Sequence, residues 1–238
     1  MIVNYTESGW QIITQRSHGL LAALICAQWR KNRQPPRWVE TLIAAAEHDD
    51  VYNEWENDDL LNEAGGPVNF TQTGFKPELC KRLIGMAETK SAYVALLISR
   101  HIQFVYGEDP KAKNFISALK KREQDWLKTA VLRGKEVDTA YELVQFCDAF
   151  SLLICQGLVQ PEGRKIEISR GPEGRAYDMH ASGVGLIVDP WPFEIDSFVV
   201  SWESRTVSQL SFTSVADFRE QVVKAPVVSH WLKLFRGS

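Results

Sequence analysis

A mainly helical body with a small β appendage toward its C-terminus, α+β overall, is the fold the sequence predicts. Three observations lead there. Apolar residues recur three and four apart through most segments up to Gly157. After Pro161 the period changes, and short alternating or β-branched runs lie between Gly and Pro turns. Nothing repeats and no low-complexity stretch divides the chain. The prediction is therefore a single domain over residues 1–238, with a helical body at about 10–157 and a β-rich part at about 162–215.

Residues 1–7 read as a short strand or arm, and Trp10 leads into a helix over about 11–31. NRQPPRW is a turn, and Pro36, near a first helical position, announces a helix over about 37–48. Residues 57–77, rich in Gly, Pro, Asn and Thr, lack any sustained period and have the profile of a lid or binding loop. Helices follow over about 78–88 and in KSAYVALLISRHIQFVY, ending near Tyr106. DPKAKNFISALKKREQDWLKTAVLR is a charged amphipathic helix, and EVDTAYELVQFCDAFSLLICQG another, closed by Gly157. KIEISR, GVGLIVD and FVVSWESRTVS are the strands, and VADFREQVVKA is a short closing helix. GPEGRAYDMHASG, which holds His180, reads as turn-rich, and DPWPF (residues 189–193) as a rigid segment docked on the helical body.

The 238 residues are 45% hydrophobic and 24% charged with a net charge of −3, a soluble globular profile without the basic face that nucleic acid requires. No signal-peptide pattern opens the chain and no apolar run approaches a membrane span, so the expected location is the cytoplasm. The four cysteines have no C-x-x-C spacing. Cys26, Cys147 and Cys155 lie in apolar helical contexts and read as buried thiols in a reducing compartment.

The stretch LIAAAEHDD (residues 42–50) poses a problem. A helix with a small apolar face ends in an imidazole and three carboxylates, at the end where the helix dipole disfavours acids. Similar polar intrusions occur on other helices. Side chains three, four and seven apart share a face. His18 shares one with Leu21 and Ile25, and His48 with Thr41, Ala44 and Ala45. His101 sits among Val94, Leu97, Ile98, Phe104 and Val105, and Asp148 among Tyr141, Val144, Leu152 and Cys155. Any one of these histidines can be a hydrogen-bonded core residue. A buried Asp148 must pair with a cation such as Arg100, Lys90 or Arg16, coordinate a metal, or take up a proton. Two or three histidines with two carboxylates form a ligand set for a divalent ion (Mn, Fe, Zn, Ni or Mg), which would also offset the acids ending the helix.

The order His18, His48-Asp49, Asp148, each on its own helix, resembles the H…HD…D signature of the HD-domain superfamily, mostly metal-dependent phosphohydrolases. The resemblance implies an HD-domain-like helical bundle. His101 is similar to the additional histidine of two-metal members, which commonly supply two where this chain offers one on a helix. GWQIITQRSHGLLAALICAQW, LIAAAEHDDVYNEWE, YVALLISRH, FCDAFSLLIC and DPWPF resemble a bacterial family catalogued as domain of unknown function 3891, over nearly the whole chain. Val51-Tyr52 departs from the Gly-Trp expected there, a difference that bears on how open the pocket mouth is.

The resemblance implies metal-assisted hydrolysis of a phosphate ester: a phosphomonoester, a phosphodiester or a nucleotide. His18, His48, Asp49 and Asp148 would hold the ion, with Asp49 shared with a second ion if His101 participates. Asp50 or Glu47 is a candidate to orient water or to hold a metal-bound histidine, and Arg100 and Arg16 are candidate phosphate clamps. Adjacent helix residues point about 100° apart, so Arg100 and His101 cannot both face one atom. Two other readings stand beside this one. One is a catalytically silent module that binds a metal plus a nucleotide or a protein partner, with homodimerisation left open. The other is a di-iron oxygenase.

Overall fold

The computed structural model describes residues 1–161, 163–183 and 185–237. Residue 162, where the β-rich part was expected to begin, and Val184, within the expected strand GVGLIVD, lie outside the described residues. The chain opens with β1 (Ile2–Thr6) and β2 (Gly9–Ile13), then α1 (Gln15–Cys26), α2 (Trp38–Glu47), α3 (Pro77–Glu88), α4 (Ala92–Tyr106), α5 (Lys113–Ala130) and α6 (Gly134–Cys155). After these come β3 (Ile166–Arg170), β4 (Ala176–Ser182), β5 (Gly185–Asp189), β6 (Ser197–Val207), α7 (Val215–Lys224) and β7 (Val227–Arg236).

All seven strands join one sheet in the order β1-β2-β6-β7-β5-β4-β3, antiparallel except where β5 lies beside β7. This overturns the mainly helical, HD-domain-like bundle with a small appendage. Strands hold 22% and helices 47% of the chain, and the sheet is mixed and curled. Three segments make the difference. Residues 11–13, expected as helix, belong to β2, which turns back on β1 at Gly9 (φ 118°), so α1 starts only at Gln15, where the Thr14 side chain accepts from the Ser17 N–H. Inside the segment read as turns, β4 buries Tyr177 and Met179 on alternate positions. At the other end of the chain, β7 pairs with β6 over nine residues, from Val227 opposite Arg205 to Phe235 opposite Ser197. Strand pairing creates these elements, β2 with β1 and β6, β4 with β3 and β5, and β7 with β6 and β5, and local propensity only tolerates them.

The helices cover the sheet. Ser17 on α1 and Glu203 on β6 exchange hydrogen bonds between the Ser17 hydroxyl and the Glu203 main chain, while α6 packs beside β3. Trp29, Phe146, Tyr177 and Phe193 form a buried aromatic cluster that joins the end of α1 to α6, β4 and the DPWPF segment. That segment docks on the helical layer: the Arg30 N–H donates to the Pro192 carbonyl and the Glu194 N–H to the Gln28 carbonyl. A smaller cluster of Ile12, Leu60, Val207, Phe212, Phe218 and Val222 fixes α7.

Residues 57–76 form no long helix or strand and lie as a strap over the sheet edge. The Phe70 N–H donates to the Met1 carbonyl and the Asn69 amide to the Val3 carbonyl. Among the described residues, no helix is long and apolar enough to cross a membrane.

The small-residue face of LIAAAE allows α1 and α2 to approach closely. Ala44 and Ala45 are fully buried, and a Cβ placed on Gly19 would stand 2.5 Å from the Ala46 carbonyl oxygen. Glycine at that contact brings His18, its neighbour in sequence, against the end of α2. Gly19→Ala is expected to destabilise the protein by about 1–3 kcal/mol through overpacking, despite the roughly 1 kcal/mol that alanine gains in a helix. Urea denaturation measures this; an unchanged midpoint would show that the two helices separate freely.

Candidate metal centre

Four helices or helix ends deliver polar groups to one buried point. His18 comes from the first turn of α1, His48 caps α2 and Asp49 follows it, while His101 lies on α4 and Asp148 on α6. Each histidine is buried, and the Asp49 and Asp148 side chains are 17% and 10% exposed. His18 Nε2 and His48 Nε2 stand 3.0 Å apart. Asp148 Oδ1 lies 3.3 Å from His48 Nε2 and 3.6 Å from His18 Nε2, and Asp49 Oδ2 lies 3.5 Å from His18 Nε2 and 3.8 Å from His48 Nε2. The other oxygen of Asp49, Oδ1, faces His101 Nε2 at 3.5 Å.

The far side of each imidazole sets its tautomer. His48 Nδ1 sits 2.8 Å from the Ala45 carbonyl, which only accepts, so Nδ1 carries the hydrogen. Ser151 donates its hydroxyl hydrogen to the Asp148 carbonyl at 2.8 Å, so its oxygen accepts from His18 Nδ1 at 2.8 Å. Both Nε2 atoms therefore turn lone pairs toward each other at 3.0 Å. That arrangement requires positive charge between them, either one proton or a cation. Burial lowers the His48 pKa, but the charges of Asp148 and Asp49 outweigh it and raise it to about 9. Burial also works against ionised Asp49, yet the charge of His48 above all, with His101 beside it, holds its carboxyl well below the usual range. Asp148 is likewise lowered, by His48 above all once burial is overcome.

The residues fit a divalent ion on grounds other than their types. Asp148 Oδ1 is buried without a hydrogen-bond partner among the described residues. Ligand atoms each about 2.1 Å from a common ion lie roughly 3.0–3.4 Å apart, which is the scale of the separations above. Two triads, His18 with His48 and Asp49, and His48 with His101 and Asp148, each keep their ligand atoms within 4.8 Å of one another.

The acids that end α2 divide three ways. Lys90 pairs with Glu47 at 2.7 Å and Arg16 with Asp50 at 2.9 Å, leaving Asp49 to the imidazoles. Asp50, expected to orient water, and Glu47 thus face surface cations, and Arg16 is occupied as well. Arg100, expected at the rim as a phosphate clamp, turns away to Glu123 and Asp138, because buried Glu123 needs a counter-charge there. Of the nine residues singled out by the sequence, His18, His48, Asp49, His101 and Asp148 meet, while Glu47, Asp50, Arg100 and Arg16 do not.

Two contributors escaped the sequence reading. Gln15 donates through its amide to Asp49 Oδ2 at 2.9 Å, while its own Oε1 is buried without a partner among the described residues. Ser151 sets the His18 tautomer as described. Both lie three residues from a ligand on the same helix, Gln15 before His18 and Ser151 after Asp148, so helical spacing could have found them.

A cavity of about 320 Å³ opens beside the cluster, with Asp49, His101 and Asp148 in its wall. Phe70, Phe104, Val105 and Leu152 make most of the remaining wall apolar, with Gln15, Thr73, Tyr52 and Tyr106 adding neutral polar groups. Tyr52, in the Val51-Tyr52 departure, narrows one side through a 2.5 Å phenol–phenol hydrogen bond to Tyr106. Among the described residues, no lysine or arginine lines this cavity.

The family model described as a protein of unknown function, DUF3891, matches residues 1–209. No curated protein and no solved structure matches the chain.

Two outcomes are expected. His48 has a folded pKa of about 9, above its unfolded value near 6.5. In chelated protein its contribution to stability is full below pH 6.5 and is lost as pH rises through 9. The depressed Asp49 and Asp148 contribute above pH 3.8 and are lost on acidification. The melting temperature of chelated protein should therefore fall between pH 6.5 and 9.5, and a saturating divalent ion should remove that fall; a flat profile without metal refutes the shared positive charge. Ser151→Ala should weaken metal affinity by about 10–100-fold, as loss of an outer-shell partner does, measured by competition with a chromogenic chelator.

Proposed function

The chain belongs to the DUF3891 family of proteins of unknown function, and from its own residues we propose that it is a divalent-metal-dependent hydrolase of phosphate esters. One observation carries this reading: His18, His48, Asp49 and Asp148 turn imidazole lone pairs and carboxylate oxygens onto one buried point at the foot of an open cavity. Their order along the chain resembles the H…HD…D signature of metal-dependent phosphohydrolases, which supports the reaction class without supplying the fold. These four residues would hold the ion, and His101, facing the second oxygen of Asp49, is placed to add a ligand or to begin a second site.

When bound, a divalent ion there lowers the pKa of a water and offsets negative charge on phosphoryl oxygens. The chain's own groups do the rest. Gln15 holds Asp49 through its amide and offers the free Oε1 as acceptor for a water hydrogen. Ser151 and the Ala45 carbonyl keep the hydrogens of His18 and His48 on Nδ1, so both Nε2 atoms stay available as donors of electron pairs. Phe70, Phe104, Val105 and Leu152 exclude water around the ester group. A wall without lysine or arginine favours esters of low charge bearing an apolar group, such as phosphodiester monoanions, over polyphosphates.

The test is a screen of chelated protein against Mn, Mg, Fe, Co, Ni and Zn. Bis(p-nitrophenyl) phosphate, p-nitrophenyl phosphate and ATP are the substrates. The expected result is turnover of the diester above the monoester and ATP with at least one metal, falling to background in Asp49→Ala while the circular dichroism spectrum is kept. A tightly bound ion with no turnover for any metal would assign the site to a silent module instead. The apolar wall also favours a second reading, oxidation of an apolar substrate at paired irons, for which oxygen consumption by iron-loaded protein is the readout.

A further inference from the structure

A separate cavity of about 510 Å³ lies past the other end of α1 from His18 and shares no lining residue with the metal centre. Its wall is cationic. Arg30 enters from the loop after α1, Arg175 from the start of β4 and Arg236 from the end of β7, with His180 of β4 between them. The acid in this wall is Asp189, which Lys165 already engages at 2.7 Å. We propose that this cavity binds a small polyanion bearing phosphate or carboxylate groups.

The three guanidiniums keep hydrogen-bonding capacity for such a ligand. Arg30 donates only its Nε, to the Phe193 carbonyl at 3.3 Å, which fixes the side chain and leaves its terminal amino groups without another partner among the described residues. Arg175 makes no ion pair among the described residues and rests its guanidinium 5.9 Å from the Tyr177 ring centroid. Arg236 reaches Asp196 only at 3.7 Å, beyond a hydrogen bond. His180 Nδ1 is buried and has no hydrogen-bond partner among the described residues. Like charges converging on one concave wall repel one another unless an anion lies between them, and a guanidinium fork matches phosphate and carboxylate oxygens two at a time. The main-chain bonds from the Arg30 N–H to the Pro192 carbonyl and from the Glu194 N–H to the Gln28 carbonyl hold that wall rigid, so the site is organised before a ligand arrives.

Isothermal titration of the chelated 238-residue chain with pyrophosphate and with citrate at low ionic strength tests the proposal; chelation keeps both anions from a metal in the other site. The expected result is one saturable site, weakened at least tenfold in Arg175→Ala and in Arg236→Ala. Both side chains are exposed, so the fold survives the change. Lys111→Ala, at an exposed lysine outside this wall, should leave binding unchanged. Binding of pyrophosphate alone identifies a phosphate ligand and binding of citrate alone a carboxylate; either supports the site. The absence of saturable binding by both anions overturns it, as does equal weakening in Lys111→Ala.

Discussion

Two imidazoles of fixed tautomer facing each other across 3.0 Å constrain everything around them. Their outer nitrogens are committed to the Ala45 carbonyl and the Ser151 hydroxyl, so the inner pair cannot relax by exchanging a hydrogen with the scaffold. Positive charge must sit between them, and the carboxylates of Asp49 and Asp148 exist beside them to balance it. The geometry in turn requires α1 and α2 to touch, which a side chain at position 19 would prevent. Backbone contact, tautomer and charge are thus one linked requirement.

The same linkage explains why a helix can end in three acids. Glu47 and Asp50 are each neutralised by a surface cation, at modest gain because both pairs are partly exposed. Asp49 alone points inward, where its partners are the imidazoles of His18, His48 and His101. A carboxylate held by arginine would have been inert. One held by histidines remains open to whatever displaces the shared proton.

Helical periodicity was sufficient to direct His18, His48, His101 and Asp148 inward, because a helix face is a local property of spacing. It could not say that Arg100 would be captured by Glu123, a residue on another helix. It also could not say which acid of the trio would turn inside. The sheet was harder still. Residues 9–13 pair locally with β1 in a hairpin but meet β6 only across the length of the chain, and residues 227–236 meet β6 and β5 across α7, partners that no short window of sequence contains. The turn chemistry of residues 171–183 concealed β4, whose alternating Tyr177 and Met179 carried the only local sign of a strand.

The strap at residues 57–76 does two jobs with one set of bonds. It contributes Phe70 and Thr73 to the wall of the cavity, and its Asn69 and Phe70 grip the main chain of β1, the outermost strand of the sheet. An outer strand stripped of its cover is a template for adhesion between molecules. Entry to the pocket and colloidal behaviour are therefore coupled: mutations selected for a wider mouth would tend to yield sticky protein, and evolution of new specificity here is steered toward side-chain exchange rather than release of the strap.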